Sequence, residues 1–273
     1  EQQAVERADD WRLLKAKSIR GAEGTEYESL PDGSYLLKSS PNGRDTTVIE
    51  TELPAGRTTA IAIEVLPHES LPQGGPGSGK NGSFVVQAIV LNAGEGSEAW
   101  ERAAASWSEP GRELNRLVTG AKHKMGWSIA PLAGQRHRLV MVLKEPIVSD
   151  GDPLPISIKI NQQIGQGRMI GRLRLYATSL PKQQAQPFFV DADAAAVLKT
   201  AAEERSVQQQ RALEQCFRDS TPLLAEARGR FLKLASQRQT LVRSIPTTLA
   251  SVSTTPRVTR VLPRGNWMDD SGE

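Results

Sequence analysis

Apolar and polar residues alternate along several short stretches between residues 35 and 178. Ile156, Ile158 and Ile160 occupy every second position of one stretch, and β-branched or aromatic residues fill most of 83–91. A period of two places alternate side chains on one face of a β-strand. Similar stretches lie at 35–37, 47–53, 59–66, 139–143 and 173–175. Because turns that contain Gly or Pro separate them, the pattern predicts an antiparallel β-sandwich or barrel and not a βαβ array.

After about residue 178 the apolar period becomes that of helices. Asp191 or Asp193 is placed to cap a helix over 194–202. Ser206 and Gln209 then form the spacing of a capping box, in which a Ser side chain and a Gln side chain satisfy each other's backbone N–H groups. These signals predict two short helices.

A longer helix is predicted over 222–243. It begins with Thr221 as N-cap and Pro222 at the first helical position, the preferred order at a helix start. Apolar residues then recur at three-, four- and seven-residue steps, which predicts one buried face: Leu224, Ala227, Phe231, Leu234 and Leu241. We expect this helix to fold back on the preceding ones as a hairpin.

The chain therefore divides into three parts by pattern. We predict a mainly β domain over 1–180 and a helical hairpin or spacer over 181–245. The remainder, 246–273, is rich in Ser, Thr and Pro at its start. We interpret it as an extended linker that leads to a following domain.

One glycine-rich stretch, Gly74-Gly-Pro-Gly-Ser-Gly-Lys-Asn81, is similar to a phosphate-binding P-loop. The residue after Lys80 is Asn81, whereas a P-loop has Ser or Thr there to bind Mg²⁺. A P-loop also needs a helix after it, because the helix N-terminus holds the phosphates. The β-branched run over 83–91 favours a strand instead. We therefore interpret the stretch as a flexible connection between two strands and predict no nucleotide site.

Composition narrows the choice of partner. Hydrophobic residues make up 38% of the 273 residues and charged residues 24%, with a net charge of +3, which is typical of a globular protein. Eleven Lys and Arg face three acids over 205–264. No aromatic platform accompanies them, so we predict a solvated helix face or a contact with a neighbouring domain and no nucleic-acid partner. No apolar run reaches the roughly 18 residues of a membrane span.

Cysteine and histidine are too sparse to predict a cofactor or a metal in this segment. Cys216 is the single cysteine and cannot form an internal disulfide, and no CxxCH motif for c-type haem occurs. The three histidines, His68, His123 and His137, lie far apart with no ligand-like spacing. We predict no metal site.

Several short motifs together resemble one family. The stretch 66–72 reads LPHESLP, followed by GPG at 75–77 and NGSFVV at 81–86. This series is similar to the LP-x-x-SLP…GPG…NGNFVL signature of the planctomycete-type cytochrome c multidomain proteins. Further pieces follow the same order as in that family: Trp11-x-x-Leu14, Asp32-Gly-Ser34, Gly126–Ile129, Gly171–Thr178, Pro246–Thr248 and Arg264–Asp269.

The resemblance implies that this chain is the central segment of a larger protein. It implies a galactose-binding-like sandwich of the discoidin or jelly-roll type, followed by a helical spacer, with the end of the chain entering the next domain. It also implies an extracytoplasmic location, in the periplasm or at the cell surface, and haem c elsewhere in the parent protein.

The chain departs from the family at two positions. Thr119 stands where such sandwiches commonly carry the Asp of an IDG…GW arrangement, and Ser83 replaces the Asn of GNF. That Asp caps a loop or helps to hold a ligand or ion. Its replacement counts against a metal-assisted site.

Sugar-binding sites often stack an exposed aromatic ring on the sugar ring. Trp100 and Trp107 lie in the segment 92–116, which has few strand signals, and we take them as the stacking candidates in a loop. The alternative is a short amphipathic helix that both tryptophans fasten to the sandwich. Trp127, after Gly126, is expected in the core.

A basic cluster, Arg136, His137 and Arg138, precedes a strand. Its side chains are candidates for binding an acidic or sulfated sugar through charge-assisted hydrogen bonds, and the alternative is a solvated strand end. The pairs Asp150/Asp152 and Asp191/Asp193 are interpreted as a turn and as helix caps, not as calcium ligands. No catalytic motif is recognised in the sequence, so we leave open whether the chain belongs to an enzyme, and lean against it.

We expect a non-catalytic carbohydrate-binding module that binds a polysaccharide or glycan beside the flanking domains of the same polypeptide. The alternative is a structural spacer or assembly domain, part of a polysaccharide-acting or redox enzyme whose active site lies elsewhere.

Overall fold

The described part of the first 180 residues contains twelve antiparallel strands. In the computed structural model, the described residues are 10–94, 96–119, 126–246 and Met268. The strands β1 to β12 are, in order, Arg12–Leu14, Ser18–Gly21, Glu26–Ser29, Tyr35–Ser39, Asp45–Leu53, Gly56–Val65, Ala88–Ala93, Gly96–Glu98, Trp100–Ala105, His137–Ser149, Leu154–Gln162 and Arg172–Thr178. Neighbouring strands follow the order β8-β7-β11-β5-β2-β3-β4-β12-β6-β10-β9, and β1 pairs with β12.

The sheet folds into two layers around a hydrophobic core. In β11, Ile156, Ile158 and Ile160 are buried, while Lys159 between them is exposed. Residues of β6, β10 and β12 bury one side against the same core, which joins both layers in one cluster. Alternation therefore arises because each strand turns one face inward. The predicted antiparallel β-sandwich is confirmed.

The layer of β12, β6 and β10 is buried on its outer face as well. Ala60, Ala62 and Val140 on this face pack in a second cluster with Trp11 and Phe189. The rings of Trp11 and Phe189 stack with their centroids 4.5 Å apart. The segment that follows β12 thus covers the sheet before the helices begin.

The four α-helices of the described residues are α1 (Asn115–Thr119), α2 (Ala192–Leu198), α3 (Val207–Ser220) and α4 (Ala225–Ser244), with short 3₁₀ turns at Pro72–Gly74, Ala202–Glu204 and Pro222–Leu224. Asp191 caps α2 by accepting from the backbone N–H of Ala194, and Ser206 and Gln209 form the predicted capping box of α3. Helices after the sandwich are therefore confirmed.

The apolar stripe of α4 does not face the core. Phe231 is 50% exposed and Leu234 64%, and Leu241 is exposed as well. Leu232, on another side of the helix, packs against the sandwich core instead. The predicted buried face is therefore wrong, because the spacing of apolar residues marks a stripe without saying whether anything covers it.

The glycine-rich stretch is a packed loop and not a flexible connection. Gly77 donates its backbone N–H to Gly82, and Ser78 donates to Met169. A Cβ atom on Gly75 would lie 2.3 Å from the carbonyl oxygen of Gly82, and one on Gly77 would lie 2.3 Å from that of Ser83. Glycine is needed here because two backbones approach too closely for any side chain. Strand β7 follows, as predicted, but begins at Ala88.

The segment over 92–116 is not the predicted loop throughout. Strands β8 and β9 occupy 96–105, which also excludes the alternative of an amphipathic helix there. The sequence WERAAA of β9 has high helix propensity, and its pairing with β10 overrides that propensity.

The chain divides into two compact units, 1–239 and 240–273. In the second unit the described residues are 240–246, which include the end of α4, and Met268. Most of the predicted linker over 246–273 lies outside the described residues. The domain boundary predicted near residue 180 stays a prediction.

Candidate functional site

The two tryptophans predicted to stack on a sugar are buried in the sandwich. Trp100 is 7% exposed and Trp107 8%. Their indole N–H groups donate to backbone carbonyls, that of Trp100 to Ile89 at 2.8 Å and that of Trp107 to Ile129 at 3.1 Å. Both rings belong to the core between the layers. The prediction of an exposed stacking pair is wrong, because these indoles are committed to packing and to backbone partners.

The basic cluster at the start of β10 is also buried. His137 is 3% exposed and Arg138 4%, while one fifth of the Arg136 side chain is exposed. A solvated strand end is therefore wrong for these residues. Their role in binding a ligand stays a prediction, and their surroundings decide what that role can be.

A buried carboxylate, Glu64, holds this basic cluster together. Strand register places Glu64 of β6 directly opposite Arg138 on one side and Arg174 on the other. Its oxygens accept from Arg138 Nε at 2.8 Å, from Arg174 Nε at 2.9 Å and from the hydroxyl of Tyr176 at 3.1 Å. The Glu64 side chain is fully buried. A buried charge is tolerated only when paired in this way.

The charges around Glu64 determine its ionisation. Burial alone would raise the pKa of Glu64, but the guanidinium groups of Arg138, Arg174 and Arg136 lower it to about 2. Burial raises the pKa of Tyr176 as well, and the Glu64 charge raises it further. Glu64 is therefore a permanent anion at neutral pH, and Tyr176 remains a neutral donor.

Two aspartates extend the network to helix α2. Asp191 accepts from Arg138 at 2.8 Å and forms a close ion pair with Arg136. The same carboxylate caps α2, since its other oxygen accepts from Ala194 N at 2.8 Å. Asp193 pairs with Arg174 at 2.8 Å. The network therefore fixes the start of the helical region on the outer face of the sheet.

A polar cavity of about 640 Å³ opens beside this network. Charged and amide side chains form most of its wall, and they come from the sandwich as well as from α3. The lining residues are Asp32, Leu66, Pro67, Gly134, Gln135, Arg136, Arg172, Arg174, Asp193, Gln215 and Asp219. We call this space the polar cavity.

Arg172 and Asp32 form one wall of the polar cavity. Arg172 donates to Asp32 at 2.6 Å, to the Ser34 hydroxyl at 2.8 Å and to the Pro67 carbonyl at 3.0 Å. Burial would raise the pKa of Asp32, but hydrogen bonds from Ser34 and the charges of Arg172 and Arg174 lower it. The wall therefore presents an anchored guanidinium next to a carboxylate that stays ionised.

A second cavity, of about 330 Å³, lies between the sandwich and the helices. Its wall carries many apolar side chains, including Trp107, Leu132, Phe188, Leu224, Phe231 and Leu232. His137, Arg138, Arg218 and Arg228 also line it. Arg228 lies over the Phe188 ring, 5.0 Å from its centroid. We call this space the apolar cavity.

The carboxylates of the site are suited to accept hydrogen bonds. Among the described residues, the clearly shifted carboxyl pKa values are lowered, including those of Asp32 and Glu64. A general acid needs a raised pKa in order to hold a proton at neutral pH. The polar cavity thus combines fixed donors with ionised acceptors, which is an arrangement for binding.

The residues that sequence reasoning missed are charged positions inside apolar strands. Glu64 interrupts the run AIAIEVL, and Arg172 and Arg174 alternate with leucines in RLRLY. An ionisable residue in a strand that is otherwise apolar requires a partner of opposite charge. That pattern could have marked all three positions, although not which of them pair.

Two further properties concern the described residues. Within them, no three or more His, Cys, Asp and Glu side chains gather as they would around a metal ion. The helices of the described part include none long and apolar enough to cross a membrane. The side chain of Thr119 and residues 120–125, which contain His123, lie outside the description.

Comparison with known proteins yields little. No family model matches the chain, and no curated protein matches it. One solved structure is similar over 90% of this chain and 56% of its own, with 9% identity and a TM-score of 0.29. It is described as the structure of the CBM32-1 and CBM32-2 domains from Clostridium perfringens ZmpB. This chain thus spans little more than half the length of that structure.

Proposed function

We propose that this chain is a non-catalytic carbohydrate-binding module, and that the polar cavity is its binding site. The observation that carries the proposal is the lining of that cavity, where guanidinium, carboxylate and amide groups converge from sandwich and helix. A sugar hydroxyl both donates and accepts, so neighbouring hydroxyls match neighbouring guanidinium and carboxylate groups. The volume of about 640 Å³ lies within the usual range for a small-ligand site, about 300–1,000 Å³.

The wall retains hydrogen-bonding capacity for a ligand. Asp193 is about half exposed and keeps acceptor positions beyond Arg174, whereas Asp32, about three-tenths exposed, already accepts from Arg172 and Ser34. Gln135 is exposed, and its amide has no hydrogen-bond partner among the described residues. The arginines, by contrast, are held by their carboxylates. Their orientation is therefore set before a ligand arrives, which lowers the entropic cost of binding.

The parent protein and its location are inferred from the sequence motifs. We propose a galactose-binding-like sandwich within a planctomycete-type cytochrome c multidomain protein, located outside the cytoplasm, with haem c in another part of the polypeptide. The LPHESLP motif at 66–72 and the GPG motif at 75–77 support this proposal.

Glycan binding tests the function directly. A panel of neutral, acidic and sulfated glycans should include at least one ligand, and its affinity should fall about two- to tenfold in Gln135→Ala. Gln237→Ala is the matched control and should bind as the wild type does, since Gln237 is also exposed but lies on α4 outside the cavity lining. If the whole panel fails to bind, the module is not carbohydrate-binding.

One observation favours a second function, that of a structural spacer or assembly domain. The Glu64 network and Asp191 fasten the helices to the sheet, and α4 exposes Phe231 and Leu234. A rigid connection that carries an uncovered apolar stripe fits a domain that positions neighbours, including those of an enzyme whose active site lies elsewhere. Absence of glycan binding, together with stable association with the flanking domains, would favour this alternative.

A further inference from the structure

The polar cavity and the apolar cavity adjoin each other. Four residues line both of them, namely Gln135 and Arg136 just before β10 and Gln215 and Asp219 on α3. Asp219 accepts from the amide of Gln215 at 2.9 Å, which holds the two side chains together on one turn of the helix. A ligand in one cavity therefore touches the groups that border the other.

The two walls differ strongly in character. Three arginines and three aspartates line the polar cavity. In the apolar cavity, Trp107, Leu132, Phe188, Phe231 and Leu232 provide a surface that would favour an apolar group. The charged group most deeply buried there, Arg138, already donates to Glu64 and Asp191. The boundary between the walls therefore separates a hydrophilic half from a hydrophobic half.

His137 supplies one directional group in the apolar cavity. It is 3% exposed, and its Nε2 lies 2.6 Å from the Leu132 carbonyl, to which it must donate. Burial lowers the pKa of His137 to about 4, so the ring is neutral at pH 7. Nδ1 is then an acceptor, and no described residue donates to it. An acceptor in the wall of the apolar cavity suits a ligand that carries an O–H or N–H group.

We propose that the two cavities together bind a glycoside, with its sugar in the polar cavity and an aromatic aglycone that bears a hydroxyl in the apolar cavity. This inference rests on the proposed function, since it assigns the sugar to the same site. The apolar cavity, about 330 Å³, has room for a ring, because about 150 Å³ is enough for benzene. The aglycone hydroxyl donates to His137 Nδ1.

Titration calorimetry with six matched ligands tests the proposal: the methyl, phenyl and 4-hydroxyphenyl β-D-glycosides of glucose and the same three of galactose. Binding of the phenyl glycoside moves an apolar ring out of water. It should therefore bind at least about tenfold more tightly than the methyl glycoside. The 4-hydroxyphenyl glycoside should bind more tightly still, and more tightly than a 4-methoxyphenyl glycoside, which has no proton to donate.

Phe231→Ala should remove the advantage of the phenyl glycoside and leave the affinity for the methyl glycoside unchanged. Phe231 is half exposed, so its truncation should leave the fold intact. Leu234→Ala is the control, because Leu234 lies on the same helix but does not line the cavity. It should retain the full advantage.

The outcomes separate the two proposals. Equal affinity for methyl and phenyl glycosides overturns the joint site and leaves sugar binding in the polar cavity standing. If phenol binds and none of the glycosides does, both the joint site and the carbohydrate function are overturned. A phenyl advantage that persists in Phe231→Ala overturns the placement of the aglycone.

Discussion

Replacing Glu64 with glutamine would test whether the buried ion network holds the helices on the sandwich. The substitution keeps the shape of the side chain and removes its charge. Glu64 accepts through one oxygen from Arg138 and through the other from Arg174 and Tyr176. A glutamine can replace only one of these acceptors. Its amide nitrogen must then face a donor, either Arg138 on one side or Arg174 and Tyr176 on the other.

The expected loss is large, because two buried guanidinium groups would lose their shared counter-ion. Removing one partner of a buried ion pair costs about 3–5 kcal/mol. For a unit of this size, each kcal/mol lowers the midpoint of thermal unfolding by about 2–4 °C. We therefore expect the midpoint to fall by roughly 6–20 °C.

Urea and thermal unfolding, followed by circular dichroism, would measure this loss. Glu52→Gln is the matched control, since it breaks an ion pair with Lys17 on the exposed surface. That pair contributes at most about 1 kcal/mol. An acid titration adds a second measurement. The folded-state pKa of Glu64 is lowered to about 2 from 4.5, so its stabilisation is complete above about pH 4.5 and is lost as the pH falls toward 2. Glu64→Gln should lack that part of the profile.

If Glu64→Gln unfolds within about 0.5 kcal/mol of the wild type, the network does not stabilise the fold and its charges are compensated in another way. A loss equal to that of Glu52→Gln would lead to the same conclusion.

Four further predictions follow from burial and charge. Trp100→Ala should lose about 3–5 kcal/mol in urea unfolding, as other buried aromatic residues do, and a loss below about 1 kcal/mol would place this ring outside the core. Leu234→Asp should change the unfolding free energy by less than about 0.5 kcal/mol, because Leu234 is exposed; a large loss would mean that the stripe is covered. The pKa of His137 is lowered to about 4 from 6.5, so stability should decline as the pH falls from about 6.5 to 4; in His137→Phe this part of the decline should be missing, and its persistence would contradict a neutral buried ring. Gly77→Ala should cost about 1–3 kcal/mol, since its Cβ would lie 2.3 Å from the Ser83 carbonyl; wild-type stability would show that the loop yields.

The sequence predicted those parts of the fold that depend on local periodicity. The alternating isoleucines of β11 and the capping box at Ser206 specify their elements without help from distant residues. Strand β9 was missed because WERAAA favours a helix on its own and becomes a strand only by pairing with β10. Local propensity could not report that partner.

The site could be predicted only in part, because its contacts join residues that are far apart in the sequence and depend on strand register. Glu64 lies 74 residues from Arg138 and 110 from Arg174. A shift of one residue in either pairing would turn Glu64 to the other face of the sheet. The basic cluster was found from its charges, and its surroundings were not. For Trp100 and Trp107, residue type alone cannot separate a binding ring from a core ring.

Asp191 both caps α2 and pairs with an arginine of the sheet, so α2 and the sheet should unfold cooperatively. One oxygen of this carboxylate fixes the first turn of α2, and the other pairs with Arg138 on the outer face of the sheet. Unfolding α2 would thus remove one of the two carboxylates that pair with the buried Arg138. The amide hydrogens of α2 and of strand β6 should therefore exchange with solvent in a single opening event, as parts of one folding unit.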